Sequence, residues 1–245
     1  MKVLLIQLRP DSETEQHELE CFVHQSGLKA EDVVSLNVLE KIPSETDLNG
    51  VDALVIGGSG DYLLSNGDIP EKVGLVGEII RLARGKQIPT LGICFGAQIL
   101  AQTFGGVVEL DEANQETGTF LITKKVEAKD CPVFSEIPES FEAQLGHKDH
   151  IMNLPVGAVN LASSVRSSVQ AFTFPGEPVY ALTFHPELNK EAVHWRLKRY
   201  ANIYKLSADA LLVMQDNVGE TPFAVMVLKR FFEKIVKNGE FYPNN

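Results

Sequence analysis

Cys94 sits in Leu91-Gly92-Ile93-Cys94-Phe95-Gly96-Ala97-Gln98, with a glycine two residues before it and another two after. An apolar run leads into it and a helix-compatible run leaves it. This is the glycine-x-nucleophile-x-glycine turn between a strand and a helix, with cysteine where serine is more familiar. The turn is strained, and side chains at the flanking positions would meet neighbouring backbone. A helix starting at Phe95 would aim its free N–H groups and positive dipole end at the sulfur, which favours thiolate. It would also place the Phe95 N–H where it can donate to a developing oxyanion. The bland alternative is a buried structural cysteine before a glycine turn, the common state of a free cysteine. Cys21 lies in a helical pattern and Cys131 precedes Pro132; both read as structural.

A thiolate nucleophile needs a base and a group that orients the base. The histidines are His17, His24, His147, His150, His185 and His194, and only His185 ends an apolar run and precedes Pro186-Glu187. Two apart at the end of a strand, His185 and Glu187 would leave on the same side. The carboxylate could then hold one imidazole nitrogen while the other faces the sulfur. A strand-end histidine beside an unrelated surface glutamate is the competing reading. A third piece is Val55-Ile56-Gly57-Gly58-Ser59-Gly60-Asp61-Tyr62, where a glycine-rich turn can present backbone N–H groups to an anion. It has no glycine-lysine-serine/threonine ending, and its glycines do not form G-x-G-x-x-G, so phosphate and dinucleotide readings are weak.

These pieces need a scaffold. Apolar runs at 3–8, 33–38, 53–56 and 89–93 read as strands, and 12–26, 69–86 and 97–104 as helices, the first closed by Gly27. On the helix at 69–86, Val73, Val76, Ile79, Ile80 and Ala83 share a face. Strands without polar alternation, separated by helices, predict a mostly parallel sheet covered on both faces. From Gly105-Gly106 onward the pattern changes to strand candidates at 107–110, 119–126, 159–162, 169–174 and 179–184, an antiparallel or mixed extension of the same sheet. The last part is helical, and Phe223, Val227, Phe231 and Ile235 fall four apart. Tyr200, Tyr204, Leu211, Leu212, Phe223, Phe231 and Phe232 would cover the core or form an oligomer interface; the former is expected, with Asp209, Asp216 and Glu220 solvated. The expected organisation is one α/β domain over 1–245, with a core at 1–187 and helices at 188–245.

Composition narrows the function class. The 245 residues carry 22 Lys and Arg against 33 Asp and Glu, a formal charge of −11. That argues against a nucleic-acid backbone as partner. With 44% hydrophobic residues the chain is globular rather than disordered. No run approaches the roughly 20 apolar residues of a membrane helix, and the short apolar start lacks a signal-peptide core. Three widely spaced cysteines suit a reducing, cytoplasmic setting.

In this order the three motifs resemble the class I glutamine amidotransferases, triad-type glutaminases, over about three quarters of the chain. The spacing around His147 is similar to the glutaminase domain of GMP synthetases and its stand-alone relatives. The resemblance implies a flavodoxin-like α/β fold, Cys94 as nucleophile, His185 as base then acid, and Glu187 as orienter. It also implies backbone N–H groups of Gly58 and Phe95 as oxyanion donors, and Gln98 and Gly60 in the glutamine pocket. Leu145-Gly146-His147-Lys148-Asp149-His150-Ile151 resembles the family's Ser-His-Gly-Asp stretch, placing Gly146, His147 and Asp149 at the pocket edge. Here Gly146 replaces the usual serine and Lys148 the usual glycine. Lys148 is then either a solvated loop lysine or a contact for a substrate carboxylate. A metal reading of His147, Asp149 and His150 is poor, because His150 would leave the shared strand face, and no cofactor is expected. The expected ligands are L-glutamine or a γ-glutamyl compound. The expected activity is glutamine hydrolysis through a Cys94 thioester, with ammonia passing, as one option, to a separate synthase subunit. The alternatives are a γ-glutamyl hydrolase using the same triad and a non-catalytic regulatory subunit.

Overall fold

The apolar runs of the first half become the interior of a sheet in the computed structural model, which describes residues 1–201 and 207–244. In chain order its first elements are β1 (Val3–Gln7), α1 (Ser12–Ser26), β2 (Val33–Asn37), β3 (Ala53–Ile56), α2 (Pro70–Gly85), β4 (Thr90–Ile93) and α3 (Phe95–Thr103). Then follow β5 (Val107–Leu110), β6 (Glu116–Lys124), β7 (Ser140–His147), β8 (Asp149–Asn153), β9 (Val159–Ser163), β10 (Ala171–Thr173) and β11 (Val179–Leu182). The helices α4 (Lys190–Tyr200), α5 (Ala208–Asp216) and α6 (Pro222–Arg230) complete the described chain. The main sheet has nine strands in the order β2-β1-β3-β4-β11-β10-β9-β6-β7.

Every pair from β2 to β11 along that order is parallel, and the pairs beyond are antiparallel. Residues in β1 and β3 are buried on both faces, and their period-two alternation divides the core in two. Val3, Leu5, Ala53 and Val55 pack with Phe22 of α1 and with Val227 and Phe231 of the C-terminal helix. Leu4, Ile6, Leu54 and Ile56 face the other way, onto Val76, Ile79, Ile80 and Ala83 of α2 and Ile99 of α3. α1 begins where the Asp11 side chain accepts from the Thr14 N–H and ends at Gly27 with φ 73°.

Three expectations need correction. The strand at 107–110 is not part of the main sheet: β5 pairs with β8 in a separate two-stranded sheet. β7 and β8 have no counterpart among the strands expected from the sequence. Phe141, Ala143 and Leu145 carry the apolar inward face of β7, and Gln144, buried as it accepts from the Thr119 hydroxyl and donates to the Gly219 carbonyl, blurs the alternation. The C-terminal helix is not uniformly α-helical, since α6 continues as a π-helical segment, Phe231–Lys237. The wider turn lets the adjacent Phe231 and Phe232 both point inward, onto Tyr180 and Phe22. Tyr200 is buried as well, whereas Phe223 and Leu212 are exposed; Tyr204 lies outside the described residues. Asp209, Asp216 and Glu220 are exposed.

Candidate active site

The parallel strands all end at one edge, where open α/β sheets place their ligands. β4 delivers Cys94 there. Its backbone has φ 51° and ψ −106°, outside the regions that non-glycine residues favour, and Cys94 N–H donates to the Leu182 carbonyl at 2.8 Å. The flanking glycines are steric requirements. A Cβ at Gly92 would lie 2.7 Å from the Gly96 carbonyl oxygen, and one at Gly96 would run into the Ile56 carbonyl. α3 starts at Phe95, so Cys94 stands at the N-terminal end of the helix.

β11 leads to His185. His185 N–H donates to the Gln144 carbonyl at 2.8 Å, fixing the backbone beyond the strand end. Its Nδ1 donates to Glu187 Oε1 at 2.7 Å, and both side chains are buried. Burial by itself would lower the imidazole pKa. The Glu187 carboxylate and the Cys94 sulfur on the ring's other side outweigh it and raise the pKa to about 10. Burial also dominates at the other thiols, against the Arg196 charge at Cys21 and backbone hydrogen bonds from Phe134 and Val133 at Cys131: it pushes Cys21 up to about 12 and Cys131 up to about 11, so both stay protonated.

β3 delivers the glycine turn. A Cβ on Gly58 would lie 3.0 Å from His185 Cε1 and 3.5 Å from Cys94 Cβ, so Gly58 backbone borders both residues directly. The N–H groups of Gly58 and Phe95 donate to no protein acceptor among the described residues, whereas Gly57 N–H is taken by the Ile6 carbonyl and Gly96 N–H by the Gly57 carbonyl.

A cavity of about 470 Å³ opens over Cys94 and His185 and is bordered by Gly60, Gln98, Gly146, His147 and Asp149. All five residues expected at the pocket therefore meet at one opening, though several side chains are committed to the protein. Gln98 Nε2 donates to the Asp149 carbonyl at 3.1 Å. The Asp149 carboxylate accepts from Ser65 N–H at 3.0 Å and Ser65 Oγ at 2.5 Å, tying the glycine-turn loop to the start of β8. His147 Nδ1 donates to the Asp149 carbonyl at 3.1 Å, and its Nε2 lies 3.3 Å from the buried Glu116 carboxylate. Gly146 leaves room beside the base: a Cβ there would sit 3.9 Å from His185 Nε2. Lys148, at the reversal between β7 and β8, borders the cavity 3.9 Å from Glu112. Among the described residues no group of three histidines, cysteines or acids is arranged to hold a metal ion.

Sequence reasoning misses a buried charge cluster beside these residues. Arg9, fully buried just past β1, donates to Glu18 through Nε at 3.0 Å and Nη2 at 2.5 Å, and Gln7 Nε2 also donates to Glu18 at 3.0 Å. Burial opposes ionisation of Glu18, but the Arg9 charge and hydrogen bonds hold its carboxyl below the usual range. Glu18 also explains Gly57, where a Cβ would lie 2.7 Å from Glu18 Oε1. Tyr200, packed over Gly60, lies 3.4 Å from Arg9 Nη1 and from Asp61 Oδ2. Arg196 of α4 is buried nearby. The available signal was Gln7 and Arg9 themselves, polar residues at the carboxyl end of a buried parallel strand.

The family model described as "Glutamine amidotransferase class-I" matches residues 30–194. Over 170 residues the chain is 31% identical to a glutamine-hydrolyzing GMP synthase subunit from Methanocaldococcus jannaschii, covering 68% of this chain and 81% of that protein. It is 34% identical over 148 residues to a glutamine-hydrolyzing GMP synthase from Christiangramia forsetii, covering 60% of this chain but 26% of that longer protein. A crystal structure described as a glutamine amidotransferase from Thermotoga maritima superposes with a TM-score of 0.76, at 21% identity, over 97% of this chain and 98% of its own.

Proposed function

Because the chain belongs to the class-I glutamine amidotransferases, we propose that it hydrolyses the side-chain amide of glutamine to glutamate and ammonia through a thioester on Cys94. The observation that carries this reading is the pairing of a positive-φ Cys94 at a helix start with a buried His185 whose Nδ1 is held by Glu187 at 2.7 Å. The thiolate attacks the γ-carboxamide carbon, forming an S–C bond, while the Gly58 and Phe95 N–H groups take the negative oxygen. The imidazolium gives its proton to the amide nitrogen as the C–N bond breaks and ammonia leaves. His185, now neutral, takes a proton from water as the water attacks the thioester, and glutamate departs with the thiolate restored. Glu187 holds one tautomer and stabilises the imidazolium throughout.

The archaeal relative bears the name of one subunit of a GMP synthase rather than of the whole enzyme, which supports a second chain as the destination of the ammonia. The intact triad speaks against a purely regulatory role. The three cysteines, all unpaired, support a cytoplasmic setting, and no described helix is long and apolar enough to cross a membrane. The purified chain should release ammonia and glutamate from glutamine in equal amounts, measured by coupled dehydrogenase assays. Ammonia without glutamate, or no product with or without the partner synthase, would overturn the reading.

A further inference from the structure

The cavity is larger than a single amino acid needs, and its lining residues fall into two chemically different groups. Gln98, Gly146 and Asp149 belong to one group. Leu188, Val193, Leu197 and Met214, which pack together, also border it, with Arg196 in the same lining. Leu188, Val193 and Leu197 belong to a small apolar cluster separate from the two main cores. Positions 193, 196, 197 and 200 recur at helical spacing, so one face of α4 forms this wall.

Arg196 is out of place in an apolar wall. A buried guanidinium ordinarily has an anion beside it. Arg196 is 8% exposed, yet it makes no ion pair among the described residues, and its Nη2 is buried without a hydrogen-bond partner. Its one hydrogen bond there runs from Nε to His17 Nδ1 at 3.3 Å. His17 can accept because burial, then the Arg196 and Arg9 charges, lower its pKa to about 4, and it is held by stacking on Trp195 at 3.9 Å. The nearby carboxylates, Glu18 and Glu187, act on the guanidinium from beyond ion-pair distance: Glu18 is engaged by Arg9 and Gln7, and Glu187 by His185 through Oε1, while Glu187 Oε2 has no hydrogen-bond partner among the described residues. Lys148, the other basic side chain bordering the cavity, has Glu112 near it. Among the described residues Arg196 is thus a buried cation in the wall of the cavity that no carboxylate pairs with directly.

The triad sets which part of a substrate lies there. The general acid must reach the leaving nitrogen, so the leaving amine faces His185, in the same cavity as the Leu188 and α4 lining. We propose that this wall is a leaving-group subsite for γ-glutamyl amides of apolar amino acids, with Leu188, Val193, Leu197 and Met214 taking the side chain and Arg196 the carboxylate. This rests on the Cys94 thioester reading and deepens it. The C–N bond breaks as the S–C bond forms, His185 protonates the departing α-amine, and water later releases glutamate.

The test compares kcat/KM for glutamine, γ-glutamyl-leucine and γ-glutamyl-(3-methylbutyl)amide, which keeps the apolar body of leucine but lacks its carboxylate. The expected result is that γ-glutamyl-leucine exceeds both others by about tenfold or more, the scale of a charge-assisted hydrogen bond. Arg196→Met should bring the ratio of peptide to decarboxylated amide to about one, and Arg196→Lys should restore part of it. Equal rates for the peptide and its decarboxylated analogue in the unmodified protein would overturn the subsite, whether or not the variants fold. So would an Arg196→Met loss of equal factor on all three substrates, which would assign Arg196 to holding the triad. If glutamine alone is hydrolysed, the subsite fails and the glutaminase reading stands; if none of the three acylates Cys94, both fail.

Discussion

Cys94→Ala should remove glutamine hydrolysis, lowering kcat by on the order of 10⁴-fold or more while the protein still folds, since losing a covalent nucleophile removes the whole acyl-transfer route. Alanine keeps the Cβ and adopts the φ of 51° at much the same cost as cysteine, so the strand, turn and helix persist. No second thiol can take over. Cys21 and Cys131 are held protonated by burial, and neither borders the cavity. Ammonia release assayed beside a thermal melt separates the two contributions: activity should vanish with little change in Tm. Retained turnover would mean that Cys94 is a structural cysteine after all.

Glu187→Gln should cost about 10³- to 10⁴-fold in kcat, the scale seen when the orienting carboxylate of a triad loses its charge. The amide oxygen can still accept from His185 Nδ1, but it no longer stabilises the imidazolium. The sign of the pH effect follows. His185 is raised to about 10 in the folded protein, above its ordinary value of 6.5. Its protonation therefore contributes stability that is fully present below the ordinary pKa and is lost as pH rises through about 10. Ammonia expulsion also needs the protonated ring, so the alkaline limb of kcat/KM belongs to His185. Removing the Glu187 charge should move that limb to lower pH and narrow the stability advantage at pH 8. A pH–rate profile of the variant checks the first and denaturant melts at two pH values the second; an unmoved limb would separate Glu187 from the base.

The placement of the candidate site residues was legible because their constraints are local. The glycines at 92 and 96 are demanded by backbone within a few residues or one neighbouring strand, and His185 and Glu187 are two apart. The parallel core was legible for a similar reason, since strands buried on both faces have no polar alternation. What stayed hidden depends on distant partners. Arg9 and Glu18 look like ordinary surface charges until folding brings α1 against the end of β1, and Arg196 reads as one more helix cation. Gln144 obscured β7 because its polarity is matched by Gly219, 75 residues away. The π-helical turn at Phe231–Lys237 likewise answers to Tyr180 and Phe22 rather than to its own spacing.

The central claim is that the Cys94 sulfur carries the substrate's acyl group. Incubation with 6-diazo-5-oxo-norleucine, an electrophilic glutamine analogue, followed by peptide mass mapping tests it most directly. A Cys94 thioester mechanism predicts one adduct per chain, on the peptide containing Cys94, formed in step with loss of activity and slowed by glutamine. An adduct on Cys21 or Cys131, or inactivation without modification of Cys94, would contradict it.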